Sequence, residues 1–184
     1  ARGMRVLAVA KSDNIATPFP DTPVDLFFRF FGLVGLADPL RETVPEAVKE
    51  AQNAGIKVIM ITGDYPTTAK SIATQAGITA EKVMTGADLE KMTYEELRSI
   101  LKGDCIFARI MPQQKLRIVN ALKANGEIVA MTGDGVNDAP SLKAAHIGIA
   151  MGGRGTDVAR EASSIVLLDD DFNSLVRTIR LGRR

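Results

Sequence analysis

The decapeptide Met131-Thr132-Gly133-Asp134-Gly135-Val136-Asn137-Asp138-Ala139-Pro140 sets two carboxylates four residues apart, among glycines and an asparagine. It follows the apolar run Ile128-Val129-Ala130-Met131, which reads as a short buried strand, and leads into a helix-prone run at 139–145. Asp134 and Asp138 are therefore expected at the carboxyl end of a strand, where open α/β sheets gather their ligands. Two more strand ends carry comparable groups: Thr62-Gly63-Asp64, and Arg109 with Lys115 six residues later. A short hydroxyl or backbone N–H, a fixed ammonium and a carboxylate pair suit phosphoryl transfer to or from an anionic centre. The lysine offsets charge on the phosphoryl oxygens, and hard carboxylate oxygens suit Mg²⁺, which usually takes only one or two protein carboxylates. Glycines let the backbone approach a phosphate closely. Each group alone has a plainer reading. Thr-Gly-Asp is a common turn, Lys115 a solvated helix lysine, and Asp134 with Asp138 an Asx turn and a helix N-cap. Their recurrence at successive strand ends is what favours chemistry.

The elements that would position these groups alternate along the chain. Val6 to Ala10 is strand-like, residues 11–25 form a proline-containing loop or linker, and Phe27 to Ala37 reads as a strand. Thr43 opens a helix, with a capping box to Glu46 and a stripe of Val44, Ala47, Val48 and Ala51, stopped at Gly55. Lys57 to Ile61 is a strand ending in Thr62, followed by a helix with Ala69, Ile72, Ala73 and Ala76 on one face. A short helix begins near Thr93. Cys105 to Ala108 is a strand, Pro112 to Ala124 a helix, Ile147 to Met151 a strand, and Ile165 to Leu168 an apolar run. Phe172, Leu175, Val176 and Ile179 mark one face of a last helix. Strands alternating with helices predict βαβ units with right-handed connections and a parallel sheet. The fold class expected is Rossmann-like α/β, a parallel sheet with flanking helices.

Composition narrows the function. The 184 residues suffice for one sizeable domain, and 46% hydrophobic with 24% charged residues is ordinary for a globular protein. A formal net charge of +1, no Trp and only 2 Tyr offer neither an electrostatic nor a stacking case for nucleic acid. Cys105 is the only cysteine, so no disulfide can form within the chain, and its apolar setting predicts a buried thiol. No stretch approaches the roughly 18 apolar residues of a membrane span. The fragment is therefore expected to be soluble. The opening Ala1-Arg2-Gly3 and a final helix without a stop signal suggest a piece of something longer.

These residues carry a family resemblance. Gly3-Met4-Arg5-Val6-Leu7-Ala8, Asp38-Pro39-Leu40-Arg41, Met60 to Asp64, Phe107 to Lys115, the decapeptide and Gly148 to Gly152 together resemble the phosphorylation domain of P-type cation-transporting ATPases. Within this branch of the haloacid dehalogenase-like superfamily, the calcium-pump-like members are most similar. The resemblance implies that Asp134 ligates Mg²⁺, that Asn137 and Asp138 complete the phosphate and magnesium site, and that Lys115 contacts the transferred phosphoryl group. Thr62 and Gly63 would hold its oxygens, with Asp64 beside the nucleotide phosphates. Arg109 would reach ATP, and Arg5 would be the last nucleotide-contacting element of an adjoining nucleotide-binding domain. Residues 1–25 would be the tail of that domain and a linker. Residues 26–184 would be the carboxyl-terminal part of the phosphorylation domain, ending in the start of a stalk helix, with Asp38 to Arg41 as the hinge. The parent would be a membrane pump with this domain on its cytoplasmic side. Its other domains and a transported cation, possibly Ca²⁺, would be partners. A soluble phosphatase of the same superfamily, or a non-catalytic phosphate-binding module, is the alternative.

The family's nucleophile is the Asp of an Asp-Lys-Thr-Gly-Thr segment, and this chain has none. The central strand that bears it would also be absent, so the isolated chain is expected to be inactive. Two decoys stand apart from the site. Asp169-Asp170-Asp171 has an Asp-x-Asp spacing but follows the last motif, and reads as a solvated strand end before a helix. Gly152-Gly153-Arg154-Gly155-Thr156 lacks the Lys of a P-loop and reads as a turn before a helix. His146, without a second ligand-type neighbour, is expected to be packed. In the superfamily the missing strand lies between those equivalent to Lys57–Ile61 and Ile128–Met131. The chain is therefore expected to close that gap by pairing the two directly, or to fill it with Val6–Ala10, a second copy or a separate chain.

Overall fold

A computed structural model describes residues 4–13, 20–36 and 39–182. It divides into two compact units, Ala1–Pro39 and Leu40–Arg184. In the first, β1 (Arg5–Lys11) pairs antiparallel with β2 (Arg29–Leu36), in a register that sets Leu7 opposite Val34 and slips between Val9 and Ala10. The strand expected to open the larger domain is thus the partner of β1. Val6, Leu7, Phe30, Phe31 and Leu33 on this ribbon are all exposed.

The second unit runs α1 (Val44–Asn53), β3 (Met60–Ile61), α2 (Pro66–Gln75), β4 (Lys82–Thr85), α3 (Gly86–Lys91), α4 (Tyr94–Ile100), β5 (Cys105–Ala108) and α5 (Pro112–Ala124). It continues through β6 (Ala130–Gly133), a 3-10 turn (Val136–Asp138), α6 (Ala139–Ala144), β7 (Ile147–Met151), α7 (Asp157–Glu161), β8 (Ile165–Leu167) and α8 (Phe172–Gly182). All strand pairs here are parallel, in two three-stranded sheets of order β3-β5-β4 and β6-β7-β8. This is the expected α/β arrangement with flanking helices. The unforeseen elements are β4 and α3. Their junction is a full capping box, Thr85 with Asp88, where Thr93 with Glu96 was the foreseen one and also forms.

One core serves both sheets. Phe107 of β5, Met131 of β6 and Ala150 of β7 are buried together with Ile118, Val119 and Leu122 of α5, and Ile59 and Ile61 pack against them. A shared helix layer joins the sheets where a backbone ladder does not. Among the described residues β3 pairs only with β5, and β6 only with β7. Direct pairing of these two strands is therefore corrected. So is filling by Val6–Ala10, which among the described residues pairs with β2 in a separate two-stranded sheet.

Three local expectations also change. Thr43 has helical backbone angles and no capping bond; its hydroxyl instead donates to Asp171 Oδ1 at 3.1 Å, 128 positions away. Long-range pairing won over the local box. Ile128, expected inside a strand, is 78% exposed, and the ladder starts at Ala130. His146 is exposed, its Nδ1 accepting from the Val129 N–H at 3.1 Å, so it secures the approach to β6.

Candidate phosphoryl-transfer site at the strand ends

The loop after β3 is held from two sides. The Thr62 N–H donates to the Phe107 carbonyl at 2.9 Å, carrying the β3–β5 ladder one residue further. The Thr62 hydroxyl donates to Asp64 Oδ2 at 3.0 Å and accepts from the Asp64 N–H at 3.1 Å, a closed two-residue turn. Gly63 is exposed, and a Cβ there would meet nothing within 4 Å. The space above this turn is open.

The loop after β5 locks onto the first. The Arg109 N–H donates to the Asp64 carbonyl at 3.0 Å, and the Ile110 N–H to the Thr62 carbonyl at 3.1 Å. Arg109 adopts φ 55, a left-handed conformation uncommon outside glycine and sustained by those two bonds. Its guanidinium lies 4.8 Å from the ring centroid of Tyr65, the residue that opens α2.

The third loop is built around Asp138. This carboxylate is 6% exposed by residue, and Lys115 Nζ donates to its Oδ1 at 2.6 Å. Its Oδ2 accepts from the backbone N–H groups of Asp134 at 3.3 Å and Gly135 at 3.2 Å. Gly133 is required here, since a Cβ would sit 2.5 Å from that of Asp138. The Asp134 carbonyl accepts from the Thr156 N–H at 2.9 Å, which ties in the turn before α7. Asp134 and Asn137 themselves are exposed, with side chains free of hydrogen bonds and ion pairs among the described residues.

The structure thus brings Thr62, Asp64 and Arg109 together in one pair of loops, and Lys115 with Asp138 in another. Pro112 starts α5 just beyond Arg109, so one helix carries Lys115 from the first pair to the second. Arg5 lies in β1 of the other unit, and its side chain is outside the described residues, as is Asp38. Arg41, the other end of the expected hinge, donates from Nη1 to the Asp170 carbonyl. Tyr65 was missed by sequence reasoning, although its place immediately after Thr-Gly-Asp was a signal. Cys105 is buried, and burial pushes its thiol up to about 11, which removes it as a nucleophile.

The acidic run is consumed by structure. Asp170 has φ 54, and its carboxylate accepts from the N–H groups of Gly153 and Arg154, both at 2.9 Å. Asp169 accepts from the Ser174 hydroxyl at 2.6 Å and from the Asp171 N–H at 3.1 Å, which holds its pKa below the ordinary aspartate value. Thr156 caps α7 through the Ala159 N–H, as a turn-and-helix reading requires.

Parallel strands flanked by helices, with Thr62 and Asp64 after one strand and Asp134 and Asp138 after another, define an α/β domain. The chain belongs to the haloacid dehalogenase-like hydrolase family, whose model matches residues 7–146. It is 45% identical to a calcium-transporting ATPase of Bacillus subtilis (strain 168), over 100% of this chain and 21% of that protein. It is 44% identical to the sodium/potassium exporting P-type ATPase cta3 of Schizosaccharomyces pombe (strain 972), over 100% of this chain and 19% of that protein. The chain thus spans about a fifth of the length of the curated relatives it matches. The catalytic domain of the CPx-ATPase CopB-B has the same fold, with a TM-score of 0.58 at 24% identity over 84% of this chain and 52% of that one.

Proposed function

We propose that this chain is the carboxyl-terminal part of the phosphorylation domain of an ATP-driven P-type cation pump. The observation that carries the reading is the pairing of Lys115 with Asp138 at 2.6 Å beside an unpartnered, exposed Asp134 at the end of β6. Similarity to cation-transporting ATPases along the whole chain supports it over a free-standing phosphatase. Identities of 45% to a calcium transporter and 44% to a sodium/potassium exporter do not separate the transported ions. The pairing of β1 with β2 favours assigning everything up to Pro39 to the adjoining nucleotide-binding domain, and Leu40 onward to the phosphorylation domain. No helix among the described residues is long and apolar enough to cross a membrane, so ion transport belongs to other parts of the parent.

The donor set fits Mg²⁺ as a partial site. Asp134 offers one free hard carboxylate, while both oxygens of Asp138 are occupied, and no cluster of three or more metal-ligating residues exists among the described ones. One or two carboxylates plus water and substrate oxygens is how this ion is usually held. Bound there, the cation would neutralise charge on the transferring phosphoryl group. Lys115 would place a fixed ammonium against the same oxygens, already oriented by Asp138, so no reorganisation is needed during transfer. The Gly63 turn leaves room for phosphoryl oxygens to approach backbone N–H groups. Arg109 would bind nucleotide phosphates. The attacking carboxylate comes from a segment outside this chain.

Phosphoenzyme formation from labelled ATP in the parent pump tests the reading. Lys115→Ala and Asp134→Asn should each lower it by about tenfold or more, the loss of one charged interaction. Wild-type levels in both variants would reject the site. The isolated chain should release no phosphate from ATP, and a magnesium-dependent release abolished by Asp169→Asn would restore the phosphatase alternative.

A further inference from the structure

Arg109 and Tyr65 form a device that the three strand-end loops do not by themselves require. Arg109 is exposed, and among the described residues it has no carboxylate partner. Other arginines of this unit are spent on structure. Arg98 binds Asn125 and the Ala124 carbonyl, Arg117 the carbonyls of Leu89 and Met92, and Arg160 those of Gly152 and Gly155. Arg109 alone of these stands on a positive-φ backbone, immediately after β5, with its guanidinium over an aromatic face. A non-glycine residue in that conformation persists only where its surroundings hold it, and two backbone bonds to the Thr62–Asp64 turn do so. Tyr65 is 58% exposed and provides no side-chain cap to α2, so its ring has little packing or capping work to do.

We infer that Tyr65 is the positioning residue for Arg109. Its ring holds the guanidinium in place by cation–π attraction, so that an unpaired, pre-ordered cation faces an incoming nucleoside triphosphate at the mouth of the site. The attraction is strongest on the ring face and leaves the N–H fork free to bind anions. The flexible dihedrals of a long side chain are thereby restrained before binding, which lowers the entropy lost on capture of the phosphates. The inference rests on the reading of Arg109 as a phosphate contact.

The test uses this chain in a one-to-one complex with a peptide carrying the Asp-Lys-Thr-Gly-Thr segment, confirmed by sedimentation for each variant, with MgATP as the probe and NMR of the arginine side chains. In the wild type, the Arg109 Hδ and Hε signals should carry an aromatic ring-current displacement and move further on MgATP titration. Tyr65→Ala should abolish the displacement and weaken apparent MgATP affinity about two- to fivefold, the effect of losing one exposed cation–π contact. Tyr65→Leu, which keeps apolar bulk but no ring, should match Tyr65→Ala, and Tyr65→Phe should restore both signals and affinity. Arg109→Ala should cost about tenfold or more. If Tyr65→Ala and Tyr65→Leu bind MgATP as the wild type does while Arg109→Ala is weakened, the positioning role is overturned and the site reading survives. If Arg109→Ala binds normally, or the wild-type Arg109 signals ignore MgATP, both are overturned.

Discussion

Lys115 Nζ lies 2.6 Å from Asp138 Oδ1, with only 18% and 9% of the two side chains exposed. The same carboxylate closes the Asp134–Gly135 turn through its other oxygen. One side chain therefore both sets the direction of the ammonium and fixes the loop that presents Asp134. Asp138 acts as a brace between the lysine and the candidate metal ligand, and of the two carboxylates in this loop Asp134 is the one free of partners among the described residues.

Removal of that brace should be costly. Asp138→Ala strands a largely buried ammonium and two backbone donors, and we expect a loss of roughly 3–4 kcal/mol, the lower part of the range for breaking a buried pair. Asp138→Asn keeps an acceptor for the Asp134 and Gly135 amides and should lose less. Urea denaturation of both variants measures the difference. Equal, negligible losses would mean that the pair is not formed in solution.

Two glycines at the site should respond oppositely to alanine. At Gly133 the new Cβ meets the Asp138 side chain at 2.5 Å, so Gly133→Ala should destabilise by about 1–3 kcal/mol through overpacking. At Gly63 nothing lies within 4 Å, so Gly63→Ala should leave the melting temperature nearly unchanged. In the parent pump its effect should fall on phosphoenzyme formation instead. A Gly63→Ala variant that is as unstable as Gly133→Ala would contradict the open turn at Gly63.

Much of this was legible in the sequence because the chemistry sits at strand ends. Asp134, Asp138 and the Thr62 turn each follow an apolar run, and an alternating pattern suffices to place them at the carboxyl ends of parallel strands, with Lys115 on the helix after the strand between them in sequence. Strand limits were less legible. Ile128 reads as core by its side chain alone, but no neighbouring strand covers it, and the ladder starts two residues later. Thr43 looked like a capping residue because Glu46 follows at the right distance, yet an aspartate 128 positions away took its hydroxyl. The Tyr65–Arg109 contact joins two loops and leaves no periodic trace. Local patterns reveal local partners, and these contacts are not local.

The α3 cap gives a pH dependence with a definite sign. The Thr85 hydroxyl donates to Asp88 at 2.6 Å and its amide at 2.8 Å; the hydroxyl contact first, then the amide, holds the Asp88 pKa below the ordinary aspartate value. A carboxyl with a depressed folded pKa contributes stability above its unfolded pKa, and that contribution fades as pH falls through the folded value. Thr85→Ala should therefore cost about 1 kcal/mol at neutral pH, the usual worth of such a cap. The gap from wild type should narrow from about pH 4 downward, as Asp88 protonates. Stability curves that stay parallel down to acid unfolding would count against the Asp88 half of the box.

The two sheets make the final prediction. Among the described residues β3 and β6 each have a neighbour on one side only, yet Ile59, Ile61 and Met131 from these two stretches meet in one core. All strands of both sheets run parallel to their partners, so a single extended segment lying between β3 and β6 could complete a continuous sheet. Unpaired N–H and C=O groups along an edge invite another chain, and those shielded from water cost about 1–3 kcal/mol each while unsatisfied. In the proposed parent, the segment ending in Asp-Lys-Thr-Gly-Thr would fill this place and deliver the nucleophile beside Lys115 and Asp134. The chain by itself should therefore self-associate at micromolar concentrations in sedimentation velocity. A synthetic peptide with an apolar extended stretch followed by Asp-Lys-Thr-Gly-Thr should bind it and return it to a one-to-one complex, with a raised melting temperature. A scrambled peptide of the same composition should do neither, because strand addition needs alternate side chains to fit the two faces of the gap. A chain that stays monomeric at every concentration and ignores the peptide would show that the shared helix layer alone satisfies both edges.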